Sequence, residues 1–441
     1  MTAALGKRSR LSWLAPLIPI LVASTLPGCG GDVYSEALVY PLRTDPIVLE
    51  TGGDEFQEPD RPGQLPLYLL KDIEDIRNPF YPFYIDKDKK GWYIDPTKLS
   101  ANDQAELRDA LQELFGTPAH PKVELISAES RQILQLDETT LKEGSRLYRL
   151  HCLQCHGLTG DGRGPTAKWV NPHPRDYRKG LFKFQSVSQA DDDRFWPQRP
   201  GEPPSDDKLR PPRRDDLIRT LQEGVEGTAM QSYNMLHEPE LNAIVSYVIH
   251  LSIRGQVEED TLKDAVPDKA KGVFDTTQLR GGSITAYLRG KRNSGGKVRD
   301  IIDGWRDAQD DSRKIRVVAY PIKDGDTAAF NQSVQNGYDI FVNRGPVPGG
   351  CTQCHYDFGR KSKFKFDSWG TMVRPRELTK TTYRGGRRPV DLYYRIHSGI
   401  NGSGMLKQGG QLSPDQIWDV VNFVRALPYP AMRKNLQPPI E

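Results

Sequence analysis

At 441 residues, 37% of them hydrophobic and 27% charged, the chain is long enough for two or three small cores. Its 61 Lys and Arg against 58 Asp and Glu leave a formal charge of +3, which Lys7, Arg8 and Arg10 near the N-terminus supply on their own. The remainder is neutral and carries no basic stripe, which argues against nucleic-acid binding. No segment beyond the first 28 residues is apolar enough to span a bilayer.

Residues 1–28 have the form of an export signal, with Lys7, Arg8 and Arg10 as the positive region and residues 11–23 as the apolar one. Pro16 and Pro19 break the apolar run, which is short for a membrane span. Leu26-Pro27-Gly28-Cys29 resembles the bacterial lipobox. The resemblance implies cleavage before Cys29 and acylation of that residue, anchoring an exported protein to a membrane that faces the periplasm or cell exterior. An ordinary signal peptide with a stray cysteine, or an uncleaved anchor, are the alternatives.

Residues 29–136 read as a tether and N-terminal extension. Up to about Pro96 it is rich in Pro, Asp and Gly and lacks period. Its aromatic cluster, Phe80, Tyr81, Phe83, Tyr84, Trp92 and Tyr93, is expected to dock on the protein's own body rather than on a partner. Residues 100–115 predict a helix: Ser100 caps it with Asp103 three residues on, Leu107, Ala110, Leu111 and Leu114 share a face, and Gly116 and Pro118 stop it.

Cysteine usage carries the strongest signal. Besides Cys29, all cysteines fall in two pentapeptides, Cys152-Leu153-Gln154-Cys155-His156 and Cys351-Thr352-Gln353-Cys354-His355. C-x-x-C-H reads as covalent c-type haem attachment: two thiols add to the haem vinyl groups, and the adjacent imidazole can ligate the iron. A four-thiolate zinc site, a redox dithiol or disulfides are the alternatives, but none explains a histidine after the second cysteine both times.

The pentapeptides sit in an internal repeat, residues 137–255 and 330–441. Each copy opens on a predicted helix, residues 141–150 and 334–343, carrying a glycine and an aromatic four apart: Gly144 with Tyr148, Gly337 with Phe341. The pentapeptides are 199 residues apart, and Pro174-Arg175-Asp176 recurs 201 residues on as Pro375-Arg376-Glu377. Residues 216–230 align without gaps to residues 391–405, ending on Met230 and Met405. A closing helix follows, with residues 244–248 matching 420–424. The falling offset places an extra stretch in copy one near residues 191–212, which is Pro-, Asp- and Arg-rich without helical period and reads as a surface loop over the first site or as a partner contact.

Helix, C-x-x-C-H, glycine-rich loop with methionine and closing helix together resemble the class I cytochromes c. The resemblance implies a mostly α fold with two such helical domains in tandem, an irregular N-terminal extension and a helical inter-domain insert. It implies His156 and Met230 as axial ligands of a haem on Cys152 and Cys155, and His355 and Met405 as those of a second on Cys351 and Cys354. Gly164-Pro165 is similar to the family's Gly-Pro turn, which implies that the Pro165 carbonyl orients His156. Copy two lacks that turn, and Gln231 and Leu406 stand where the family's methionine is followed by proline. Met235 and Met372 are the competing methionines; His151, His173, His237 and His397 are the competing histidines.

Between the copies, residues 256–329 form the insert. Residues 260–265 are helix-compatible up to Pro267, residues 299–308 predict a helix with Ile301, Ile302 and Trp305 inward, and residues 316–320 a lone strand. The insert is either a wedge between the domains or a flexible linker.

The expected function is electron transfer by two covalently bound, six-coordinate haems at a membrane surface. The chain is then a respiratory carrier or a cytochrome subunit between a redox donor and acceptor. A di-haem peroxidase or other haem oxidoreductase is the enzymatic alternative, and a gas sensor the binding-module alternative. Both need an open distal position, against which the two methionine loops argue.

Overall fold

The computed structural model describes residues 33–48, 93–188, 210–268, 271–290, 296–342, 350–362, 365–369 and 371–433. The signal segment, Cys29, Phe80, Tyr81, Phe83, Tyr84, Trp92 and most of the 191–212 stretch lie outside the described residues.

The described chain is mostly helical. Its paired strands are two residues each: β1 (Ile47–Val48) antiparallel to β2 (Tyr93–Ile94), and β3 (Lys365–Phe366) antiparallel to β4 (Met372–Val373). Helix α1 (Ala101–Phe115) begins where its cap predicts, the Ser100 side chain accepting from the Asp103 amide, and it buries Leu107, Ala110, Leu111 and Leu114. There follow α2 (Ala128–Leu134), α3 (Glu138–His151), the single turn α4 (Leu153–His156), α5 (Arg214–Glu223) and α6 (Glu238–Asp264). Then come α7 (Ile284–Arg289), α8 (Lys297–Asp307), α9 (Thr327–Phe341), α10 (Pro389–Ser398), α11 (Pro414–Ala426) and α12 (Pro430–Arg433).

Each repeat is built on one helix crossing. In the first, α3 meets α6 where Gly144 lies on the Ala243 carbonyl; a Cβ there would stand 2.1 Å from that oxygen. Tyr148, a turn along, meets Tyr247 edge to face at 5.2 Å between centroids. In the second, α9 crosses α11 with Gly337 on the Asp419 carbonyl, again 2.1 Å from a Cβ, and Phe341 lies 5.1 Å from Phe423. Only glycine permits this approach. The helices α5 and α10 also open alike, Asp216 and Asp391 each accepting from the amide of the arginine three residues before.

Two hydrophobic cores result. One runs from Tyr40 to Trp305 and the other from Ile315 to Leu427. The first takes in more than its repeat. Tyr40, Ile47 and Ile94 of the extension are buried in it, so the described part of the extension is docked rather than a free tether. The Tyr40 hydroxyl lies 2.8 Å from that of Tyr247, beside the helix crossing. From the insert, α7 and α8 pack into the same core through Leu288, Val298, Ile302 and Trp305.

One expectation for the insert holds and another changes. Residues 260–264 are helical, as the end of the 27-residue α6, which stops before Pro267. The two acids just before them are paired inside the core, Glu258 with Arg254, and Glu259 with Arg43 and Lys179. Residues 316–320 form no strand. They lie along α11 through side chains, the Val318 carbonyl accepting from Trp418 Nε1 at 3.2 Å and the Tyr320 hydroxyl donating to Asn422 at 2.9 Å.

Two candidate haem sites

Each pentapeptide follows the first helix of its repeat. Cys152 ends α3, its amide donating to the Tyr148 carbonyl, and α4 brings Cys155 and His156 round within one turn. The Tyr148 hydroxyl donates to the Gly157 carbonyl at 2.9 Å, so the crossing aromatic also holds the end of the pentapeptide. In the second repeat the His355 amide donates to the Cys351 carbonyl at 2.9 Å, as the His156 amide does to Cys152. Among the described residues no disulfide joins Cys152, Cys155, Cys351 or Cys354. Burial pushes the thiols of Cys152 and Cys351 up to about 12, so both stay protonated. Among the described residues no group of three or more His, Cys, Asp or Glu is placed to hold a metal ion.

The imidazoles are oriented by backbone. His156 Nδ1 lies 3.1 Å from the carbonyl of Arg175, and His355 Nδ1 lies 3.3 Å from that of Arg376. A carbonyl only accepts, so Nδ1 carries the proton in both rings and Nε2 keeps its lone pair for a metal. Burial lowers both histidines to about 4, leaving the rings neutral at neutral pH. The acceptor is therefore not Pro165. The turn around Pro165 is tied along the pentapeptide backbone, Gly164 donating to Cys155 and Thr166 to Gln154, and this leaves Pro165 exposed. Copy two lacks the Gly-Pro turn without losing anything at its histidine, since the repeated Pro-Arg-acid tripeptide supplies both carbonyls.

Buried charge fixes the first of these tripeptides. Arg178 donates to Asp176 and to both carboxylate oxygens of Asp45, and Arg43 reaches Asp45 and Glu259. Burial alone would raise the Asp45 carboxyl, but Arg178 and Arg43 hold it well below the usual carboxylate range. Tyr177 then stacks on His156 at 4.7 Å, with Phe182 stacked behind it and Trp305 of α8 edge-on to Phe182. Extension and insert thus both support the His156 ring. His355 has a different neighbour, Phe341, tilted at 6.2 Å.

The methionine loops repeat bond for bond. In the first, the Val225 amide donates to the Met230 carbonyl at 2.9 Å, and Thr228 donates through its amide and hydroxyl to the Val225 carbonyl. In the second, Ile400 donates to Met405 at 3.1 Å, and Ser403 donates likewise to Ile400. Each methionine amide faces that same hydroxyl, at 3.1 and 3.4 Å. Met230 and Met405 are half-buried, each packed on its own core.

Residues 139–248 match the family model described as cytochrome c oxidase, cbb3-type, subunit III, and residues 334–428 the model described as cytochrome c. The chain carries two class I cytochrome c domains in tandem. Such domains transfer electrons through c-type haem. Among solved structures, the reducing HAO-like protein complex of Kuenenia stuttgartiensis aligns with 65% of this chain and 96% of its own, at 18% identity and a TM-score of 0.41, a likeness too loose to carry an argument. No curated protein matches the chain.

Within the cytochrome domains the residues fit the group: two thiols and a neutral imidazole with its Nε2 lone pair on one turn, and a thioether in a fixed loop. Of the competing ligands, Met235, His151 and His237 are exposed. His397 is buried in α10 beneath Gly409, whose Cβ would stand 2.7 Å from its ring. Met372 lies in β4.

Proposed function

We propose that this chain is an electron-transfer protein with two covalently bound, six-coordinate c-type haems, held at a membrane surface. The observation that carries the reading is the equivalence of the two sites. Each pairs a carbonyl-held neutral histidine with a methionine loop of the same hydrogen bonds. When bound, the group supplies one-electron exchange at its iron. The chain's part is to hold it: Cys152, Cys155, His156 and Met230 in the first domain, and Cys351, Cys354, His355 and Met405 in the second. With both axial positions taken by protein, substrate has no place at either iron, which favours a carrier over a peroxidase.

The lipobox-like Leu26-Pro27-Gly28-Cys29 supports export and a lipid anchor on Cys29. Among the described residues no helix is long and apolar enough to cross a membrane. On this reading the protein faces the periplasm or cell exterior and exchanges electrons with redox proteins there. The cbb3-type match of the first domain favours a subunit of a respiratory complex among the possible settings.

Haem counting tests the proposal. The purified chain should hold two haems by mass after denaturing electrophoresis, and the variant with Cys152→Ala and Cys155→Ala should hold one. Retention of two haems by that variant contradicts the assignment of the first site.

A further inference from the structure

The two cytochrome domains meet at a junction that no motif announced. Arg175, whose carbonyl orients His156, lays its guanidinium over the ring of Trp369 in the second domain, 3.7 Å from the centroid. Trp369 is 3% exposed, and its Nε1 donates 3.2 Å back to the Asp176 carbonyl in the first domain. Beside it, Lys183 of the first domain pairs at 3.0 Å with Asp367, which also accepts from the Trp369 amide. The six-membered ring of Trp369 also rests against Gly402 of the Met405 loop. A Cβ on Gly402 would stand 2.4 Å from the indole, and the Ser368 amide donates to the Gly402 carbonyl at 2.8 Å.

The reverse contact exists as well. Arg376, whose carbonyl orients His355, donates from Nε to the Thr382 carbonyl at 3.0 Å. Thr382 and the Arg376 guanidinium in turn cover Gly227 of the Met230 loop, with Thr382 Cγ2 2.8 Å and Arg376 Nη2 3.5 Å from where a Cβ would stand. In each direction, the arginine that orients one domain's histidine is linked to the other domain's methionine loop, Arg175 through Trp369 and Arg376 directly beside Thr382. The Pro-Arg-acid tripeptide serves both purposes in both copies.

We propose that Arg175 with Trp369, and Arg376 with Thr382, are positioning residues that lock the two haem sites into one redox unit, with Trp369 on the route by which the sites exchange an electron. This rests on the two-haem reading above. The step balances without a co-reactant: one ferrous iron becomes ferric, the other ferric iron becomes ferrous, and no bond breaks and no proton moves. Buried groups in continuous contact suit it, because electronic coupling falls steeply across any gap in packing.

The test uses the full chain with both haems. Inter-haem equilibration is followed after photoreduction, alongside haem count, ferric and ferrous spectra, and amide exchange of residues 399–405. Trp369→Ala should slow equilibration by about tenfold or more through lost contact and a ~1 Å displacement, while both haem spectra persist. It should also speed exchange in the Met405 loop. Trp369→Phe, which keeps a ring on Gly402, should restore most of the rate. If Trp369→Ala does not retain two haems, Arg175→Lys removes the planar stack but keeps the charge and the carbonyl, and should slow equilibration likewise. Equilibration within twofold of the parent in a two-haem variant overturns the proposal. A parent chain with fewer than two haems instead sinks the functional reading beneath it.

Discussion

Acid should weaken the first domain through His250, by an amount its surroundings set. The residue is fully buried in α6, its Nε2 3.0 Å from the Phe115 carbonyl and its ring stacked on Tyr247 at 5.6 Å. Burial is the largest influence and lowers its pKa to about 4. In the unfolded chain it titrates near ~6.5. The unfolded state therefore binds more protons, so the stability His250 contributes is complete above ~6.5 and is lost as pH falls towards about 4. At ~1.4 kcal/mol per pH unit, going from about pH 7 to 5 removes roughly 2 kcal/mol. On the proposed ligation, His156 and His355 do not add to this once haem is bound. The assay is guanidinium unfolding at both pH values, for the parent and for His250→Gln, whose amide still donates to the carbonyl but does not titrate. The variant should lose about 2 kcal/mol less than the parent over the same pH drop. Equal losses would refute the reasoning, and with it the tight seat of α6 on α1.

The helix crossings and the anchor give two more tests. Gly144→Ala and Gly337→Ala each place a methyl 2.1 Å from a carbonyl oxygen, so each should destabilise its own domain by about 1–3 kcal/mol in denaturant unfolding; a neutral effect would mean the helices separate freely. Cys29→Ser should release the protein from membranes or leave the precursor uncleaved, and a processed variant that still fractionates with membranes would rule out the lipid anchor.

The side-chain pattern carried the fold. A glycine and an aromatic four apart, twice, put both on one helical face, and the structure uses that face for both helix crossings, where close approach demands glycine. The pentapeptides marked the sites because covalent attachment dictates residue type and spacing. Backbone roles were less visible. The acceptor for His156 is the carbonyl of Arg175, and a carbonyl leaves no trace in residue identity; the repeated Pro-Arg-acid tripeptide was the signal, unread as chemistry. Long-range pairing hid the length of α6, since Glu258 and Glu259 look exposed until Arg43 of the extension and Lys179 are brought beside them. Residues 316–320 alternate like a strand, but their partner is a helix, which side chains alone can meet. Trp369 sits in a segment without helical period, so nothing local distinguished it from a surface aromatic.

Carbon monoxide difference spectroscopy on the unmodified, reduced protein tests the central claim most directly. If Met230 and Met405 both ligate, each haem is six-coordinate and carbon monoxide should bind neither appreciably, whereas Met230→Ala or Met405→Ala should open one site each. Rapid stoichiometric binding at one haem of the unmodified protein would contradict the carrier reading and favour a peroxidase or sensor.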